Sequence, residues 1–146
     1  MSRLKKILVA YDGSPHSKEA LNWAIDLSLL SGAQVVAVKV FEGNQLYAAA
    51  ETGGTSFLSA LEEMRREDQR LMDEVAAVGQ NSGVKVTGEI LQGNVAGEIL
   101  SYAKDNDFDL IIAGTKGHGV LEELLMGSVT RSLVSLAHVP VLVVKG

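Results

Sequence analysis

IIAGTKGHGVLEELLMGSVTRSL, residues 111–133, runs from an apolar strand into a helix through four glycines. Gly114 and Gly117 close the strand, nine residues intervene, and Gly127 and Ser128 open the helix. Glycine permits positive φ or a close approach of the main chain to something else. Backbone amides freed in this way, and aimed with a helix N-terminus at one point, suit an anionic group such as phosphate. The pattern is not a Walker loop, which needs lysine and then serine or threonine directly after its last glycine. Nor is it a GxGxxG fingerprint, since Gly119 lacks the further glycine at the required offset. Ordinary turn glycines are the competing reading, because the chain holds 15 glycines.

The same alternation extends outward on both sides. Apolar runs of strand length occur at 4–12 (LKKILVAYD), 33–41 (AQVVAVKVF), 84–91 (VKVTGEIL), 109–115 (DLIIAGT) and 139–145 (VPVLVVK). Three are apolar almost throughout, as strands covered on both faces are. Four segments of helical period lie between them. Ser14 and Pro15 form an N-cap and first turn, Ala20, Leu21, Ala24, Ile25 and Ser28 share one face, and Gly32 ends the helix. Leu58, Leu61, Met64, Leu71, Val75 and Val78 mark the inward face of a longer helix reaching about residue 80, with Glu62 and Arg66 paired on the wet side. Asn94 caps a third helix that buries Ile99, Leu100 and Ala103. Ser128 caps a fourth, with Leu133, Val134 and Ala137 inward and Pro140 preventing it from running on. Five strands alternating with four helices predict an α/β fold in one domain, residues 1–146. The sheet is open, parallel and Rossmann-like, with right-handed crossovers and helices on both faces.

Charge and composition exclude several classes of function. A net charge of −5 argues against a surface for nucleic acid or anionic membrane, since phosphate backbones select basic patches. Cysteine is absent, so neither a disulfide framework nor thiolate chemistry enters. Near the start, the apolar run ILVAY is too short for a signal peptide or a membrane span. The expectation is a cytoplasmic protein of one domain, whose 47% hydrophobic residues supply enough apolar surface for a core. Residues 42–56 (EGNQLYAAAETGGTS) fit neither period. They leave the second strand at its carboxyl end, where ligands of open α/β sheets bind, and serve there as a lid or as a plain connection.

The spaced motif GTKGHGVLEELLMGSVT, with KILVAYDGSPHSKEAL and HVPVLVVK flanking it at the two termini, resembles the universal stress protein family in its ATP-binding branch, over essentially the whole chain. The resemblance implies a sheet of order 3-2-1-4-5 and a nucleotide, ATP or AMP, across the gap between strands 1 and 4. Its implied contacts fall on Ala10, Asp12, Gly13, Val40, Ala113, Gly114, Gly117, Gly127, Ser128 and Val129. Asp12 would accept from ribose hydroxyls or support a Mg²⁺ ion, and would not face a bare phosphate. Val40 would pair its main-chain groups with the adenine edge. Ala113 and Gly114 would lie under the ribose and α-phosphate. Gly117, Gly127, Ser128 and Val129 would offer amides to the phosphates, with Lys116 adding positive charge. A side chain at Gly127 would project among those phosphates.

The remaining polar and aromatic residues read as structural. Asp12 itself could cap the turn made with Gly13. His16 sits in a solvated first turn and His138 at a helix end, and the three histidines are at no metal-ligand spacing. Trp23 and Tyr102 read as packing residues. Within the motif only His118, Glu122 and Glu123 are candidates to activate water, and nothing places them at a γ-phosphate, so no catalytic residue is assigned. With the resemblance, the reading is a nucleotide-binding regulatory protein of the stress response whose ATP hydrolysis is slow or partner-dependent. A hydrolase or transferase of the same fold and a nucleotide-independent dimeric module are the alternatives. The last strand, 139–145, is an edge in the implied order and predicts a homodimer by strand pairing; the downstream protein partner is not named by the sequence.

Overall fold

The computed structural model describes residues 3–42, 51, 54–116 and 126–145. Its order is β1 (Lys6–Ala10), α1 (Pro15–Ser31), β2 (Gln34–Phe41), α2 (Gly54–Ser82), β3 (Val86–Gln92), α3 (Val95–Asp105), β4 (Leu110–Gly114), α4 (Ser128–Leu136) and β5 (Val141–Val144). Every pairing is parallel and the sheet order is β3-β2-β1-β4-β5, the open α/β arrangement expected.

Apolar strands can be buried on both sides only if successive side chains feed two separate cores. They do. Ile7, Val9, Val35, Ala37 and Ile112 meet Ala20, Leu21, Ala24 and Ile25 of α1 and Leu71 and Val75 of α2. Leu8, Val36, Val38, Ile111 and Ala113, on the opposite face, meet Ile99 and Ala103 of α3 and Leu133 of α4. Two helices therefore cover each face, and the chain changes face between β1 and β4. Asp109 stitches the amino ends of these central strands together, its carboxylate accepting from the amides of Lys5 and Lys6 at 2.8 and 2.9 Å.

Some inward positions expected from the helical period are exposed. Leu58 is 63% exposed, and Leu71 is the first buried residue among the described side chains of α2. At 29 residues this helix is about 43 Å long, whereas β3, with seven, spans about 23 Å. Its early turns extend past the length of β3, and their stripe is less deeply buried than Leu71 and Val75, with Leu61 and Met64 only half-buried. It also starts at Gly54, so residues 54–56 belong to the helix rather than to the connection; 43–50 and 52–53 lie outside the described residues. Val134 and Trp23 are about half exposed, each one step of helical rotation from the buried stripe of its helix. Tyr102 packs on Phe108 with ring centroids 5.6 Å apart, as a packing residue should. No described helix is long and apolar enough to cross a membrane.

Candidate functional site

The pairing of β1 with β4 runs from Ile7↔Leu110 to Val9↔Ile112 and stops there. On its other side β1 stays paired with β2 one step further, through Ala10↔Val38, and Tyr11 N donates to Val38 O at 2.9 Å. Beyond that point β1 feeds α1 on one face and β4 leads to α4 on the other. A crevice opens where the two strands part, at the carboxyl ends where ligands of open α/β sheets bind. It is a cleft of about 460 Å³, within the size range of small-molecule sites. Ala10, Asp12, Val40, Ala113, Gly114, Gly127, Ser128 and Val129 line it together. Of the other two positions implied by the resemblance, Gly13 is not among the lining residues and Gly117 lies outside the described residues, as do His118, Gly119, Glu122 and Glu123.

The cleft has two chemically distinct ends. Val38, Val40, Val95 and Ile99 make one of them apolar. The amino end of α4 makes the other. In α1 and α3 that end is closed by a side chain: Ser14 Oγ accepts from Ser17 N, and Asn94 Oδ1 from Gly97 N at 2.9 Å. In α4 the N-cap is Gly127, extended at φ −63° and ψ 156°, with no side-chain capping bond. Ser128 is thus the first helical residue and not the cap that its residue type suggested, because the extended backbone that defines a cap falls one position earlier. First-turn amides have no partner within their helix. These open on the cleft, presenting donors and the positive pole of the helix to it.

Asp12 caps its own turn and also faces the cleft. Its Oδ1 accepts from Ser14 N at 2.9 Å, closing the turn that leads into α1, and the residue still lines the cleft. Gly13 takes φ +83° in that turn, and a side-chain carbon there would fall 2.6 Å from Leu71 Cδ2. A side chain at Gly127 would meet Lys116 Cα at 3.3 Å and Thr115 O at 3.6 Å. It would press on the residues that follow β4. His16 is half-buried and bonded to Thr115 instead of solvated, whereas His138 is exposed just past α4.

Sequence reasoning did not find the far wall. Tyr11 is buried beside the cleft and donates to Glu74 Oε1 of α2 at 2.9 Å; Glu74 also pairs with Lys18 and Arg70, at 3.3 and 3.1 Å. Burial pushes the Tyr11 hydroxyl well above its usual range, and the hydrogen bond to Glu74 adds to the shift. Burial also pushes the Glu74 carboxyl up, but bonds from Tyr11 and Lys18 and the neighbouring cations outweigh it and hold the group below its usual range. An ion pair from Lys39 to Asp68 fastens the same helix to β2, and Glu67 and Leu71 line the cleft. Among the described residues no cluster of three or more histidine or acidic side chains could hold a metal by itself.

Fold and cleft define a doubly wound α/β protein with a crevice at its switch point, walled on one side by an uncapped helix end. The chain belongs to the universal stress protein family, whose family model matches residues 3–145. It is 36% identical over 141 residues to universal stress protein MJ0531 of Methanocaldococcus jannaschii, covering 97% of this chain and 82% of that one. The solved structure of hypothetical protein MJ0577 superposes with a TM-score of 0.86 at 28% identity, over 99% of this chain and 98% of that one. Two solved universal stress proteins of lower identity share the fold. One is a complex with cAMP (TM-score 0.75, 18% identity, 98% of each chain), and one, from Archaeoglobus fulgidus, a complex with dAMP (TM-score 0.65, 16% identity, 99% of this chain and 100% of that one).

Proposed function

We propose that this protein binds an adenine nucleotide, ATP or AMP, in the cleft between β1 and β4, and that it serves the stress response as a regulatory module and not as a dedicated enzyme. The observation that carries the reading is the pairing of ends within one cleft: an apolar pocket at one side and uncapped helix amides at the other. A base needs the first and a phosphate the second. Val38, Val40 and Ile99 would cover the adenine, with the Val40 main chain on its edge. Asp12 would accept from the ribose, while Ala10, Ala113 and Gly114 lie beneath it and Gly13 sets the turn that places Asp12. Ser128 and Val129 would donate to the phosphates, joined by Gly117 as the family resemblance implies, while Gly127 lines the site with its own amide tied to Thr115 O instead of offered to the ligand as the resemblance implied. The cAMP and dAMP complexes of the two related structures support the ligand class.

Magnesium commonly binds through one or two carboxylates, with phosphate oxygens and waters completing the shell. Asp12 fits the carboxylate part, so an ion here would arrive with the nucleotide. No described residue is assigned to activating water. Mass spectrometry of whatever small molecule leaves the freshly purified protein on denaturation tests the reading, together with calorimetry against ATP and AMP with and without Mg²⁺. An adenine nucleotide in the first and saturable binding in the second are expected. Neither would leave the nucleotide-independent module as the better reading, and phosphate released over many turnovers would favour the hydrolase. We propose separately, from the edge position of β5, that the protein is a homodimer through Val139 to Lys145.

A further inference from the structure

We infer that Thr130 is a positioning residue for the phosphate end of the cleft, locking the open end of α4 onto the last carbonyl of β4. The inference rests on the nucleotide reading and adds a residue to it. Thr130 is the third residue of α4 and is buried, and its Oγ1 donates to Gly114 O at 2.6 Å. A second bond runs beside it, from Gly127 N to Thr115 O at 2.8 Å. The N-cap and the third helical residue are therefore tied to consecutive carbonyls at the end of β4. Ser128 and Val129, the proposed phosphate donors, lie between the two ties.

Hydrogen bonds weaken steeply as distance and angle depart from the optimum, and a binding constellation loses affinity when its supporting groups leave it loose. Every degree of freedom that the ligand must freeze is subtracted from its affinity. The helix end cannot be held by its own cap, because Gly127 has no side chain to supply one. Thr130 supplies the restraint from inside the first turn, leaving the cleft-facing amides to the ligand.

The test compares a nucleotide with its nucleoside. Displacement of a fluorescent ATP analogue by AMP and by adenosine is measured for the wild type, Thr130→Val and Thr130→Ser, with circular dichroism and thermal unfolding as the control for folding. Thr130→Val keeps the shape and removes the donor; it should weaken AMP about tenfold and leave adenosine within about twofold. Thr130→Ser keeps the donor and should recover AMP affinity to within about threefold. A merely structural role would lower both ligands together. Equal loss for AMP and adenosine, or unchanged AMP affinity in folded Thr130→Val, overturns the inference and leaves the nucleotide reading standing. Should Thr130→Val not fold, Thr130→Ala removes the same donor with no added bulk and is read by the same criterion. A wild type that binds neither ligand ends the nucleotide reading and this inference together.

Discussion

His16 Nδ1 stands 2.7 Å from Thr115 Oγ1, and the first turn of α1 thereby rests on the end of β4. The contact is close enough to settle why Gly114 has no side chain. A carbon added there would fall 2.5 Å from His16 Cβ and 2.8 Å from its carbonyl carbon. The second of these is backbone and cannot swing aside, so α1 or β4 would have to move. Gly114 is bare first for a helix, whatever also lies against it from the cleft. Gly114→Ala is expected to cost about 1–3 kcal/mol of stability, the usual range for overpacking. Urea denaturation measures it, and an unchanged midpoint would show that α1 is not wedged in place.

Ser128 separates capping from ligand binding. Were it the cap of α4, alanine would cost about 1 kcal/mol. As the exposed first helical residue it should cost less than about 0.5 kcal/mol. Ser14→Ala and Asn94→Ala, which remove true capping bonds, are the internal standards and should each cost about 1 kcal/mol. In the nucleotide reading the Ser128 hydroxyl reaches a phosphate, so Ser128→Ala lowers ATP affinity by roughly three- to tenfold at unchanged stability. Calorimetry and thermal unfolding of the same preparation decide between the two roles.

What was legible in the sequence was whatever depends on near neighbours. ILVA and VVAV can be strands only if both their faces are covered, and the spacing of Ala20, Leu21, Ala24 and Ile25 fixes which side of α1 does so. Asn94 announces a cap because capping is a contact across three residues. The strand order came with the family resemblance, since alternation of strand and helix alone permits several orders. The brace from Tyr11 to Glu74 spans 63 residues and leaves no local pattern. Leu58 of α2 was misread because periodicity states which residues share a stripe, not how deeply each of them is covered. The cap of α4 slipped by one residue because Ser128 is chemically the better cap, while the backbone places that conformation at Gly127.

The brace of Tyr11 and Glu74 should be visible in the pH dependence of folding. The tyrosine releases its proton in the native state well above the unfolded value near 10. Its contribution is therefore complete below about pH 10 and is lost as pH rises beyond it. The Glu74 carboxylate is favoured in the native state, so its contribution is present above an unfolded value of about 4.3 and is lost as pH falls through the lower native one. Tyr11→Phe should flatten the alkaline fall in stability. Glu74→Gln should cost up to about 1 kcal/mol at neutral pH, shrinking in acid. Urea midpoints across the pH range report both, and curves parallel to the wild type throughout would show that the pair does not hold α2.

The edge of the sheet carries the last prediction. Among the described residues β5 pairs only with β4, and the bonds Ile111 N to Pro140 O and Thr115 N to Val144 O turn the even-numbered residues of the segment toward that neighbour. In a parallel ladder the odd-numbered ones then direct their amides and carbonyls outward, Val141 and Val143 among them. An apolar edge with unsatisfied groups pairs readily with another, and a two-fold axis lets two copies of it meet antiparallel and close the interface. In the proposed homodimer Val139 to Lys145 of each copy form that seam. Val143→Pro removes one outward donor and leaves the bonds to β4, because proline is tolerated on the open side of an edge strand. The wild type should sediment at twice its 15.5 kDa chain mass at micromolar concentration, and folded Val143→Pro should dissociate at least about tenfold more readily. A wild type that stays at the mass of a single chain refutes the dimer, and a folded proline variant that dimerises as tightly moves the interface away from β5.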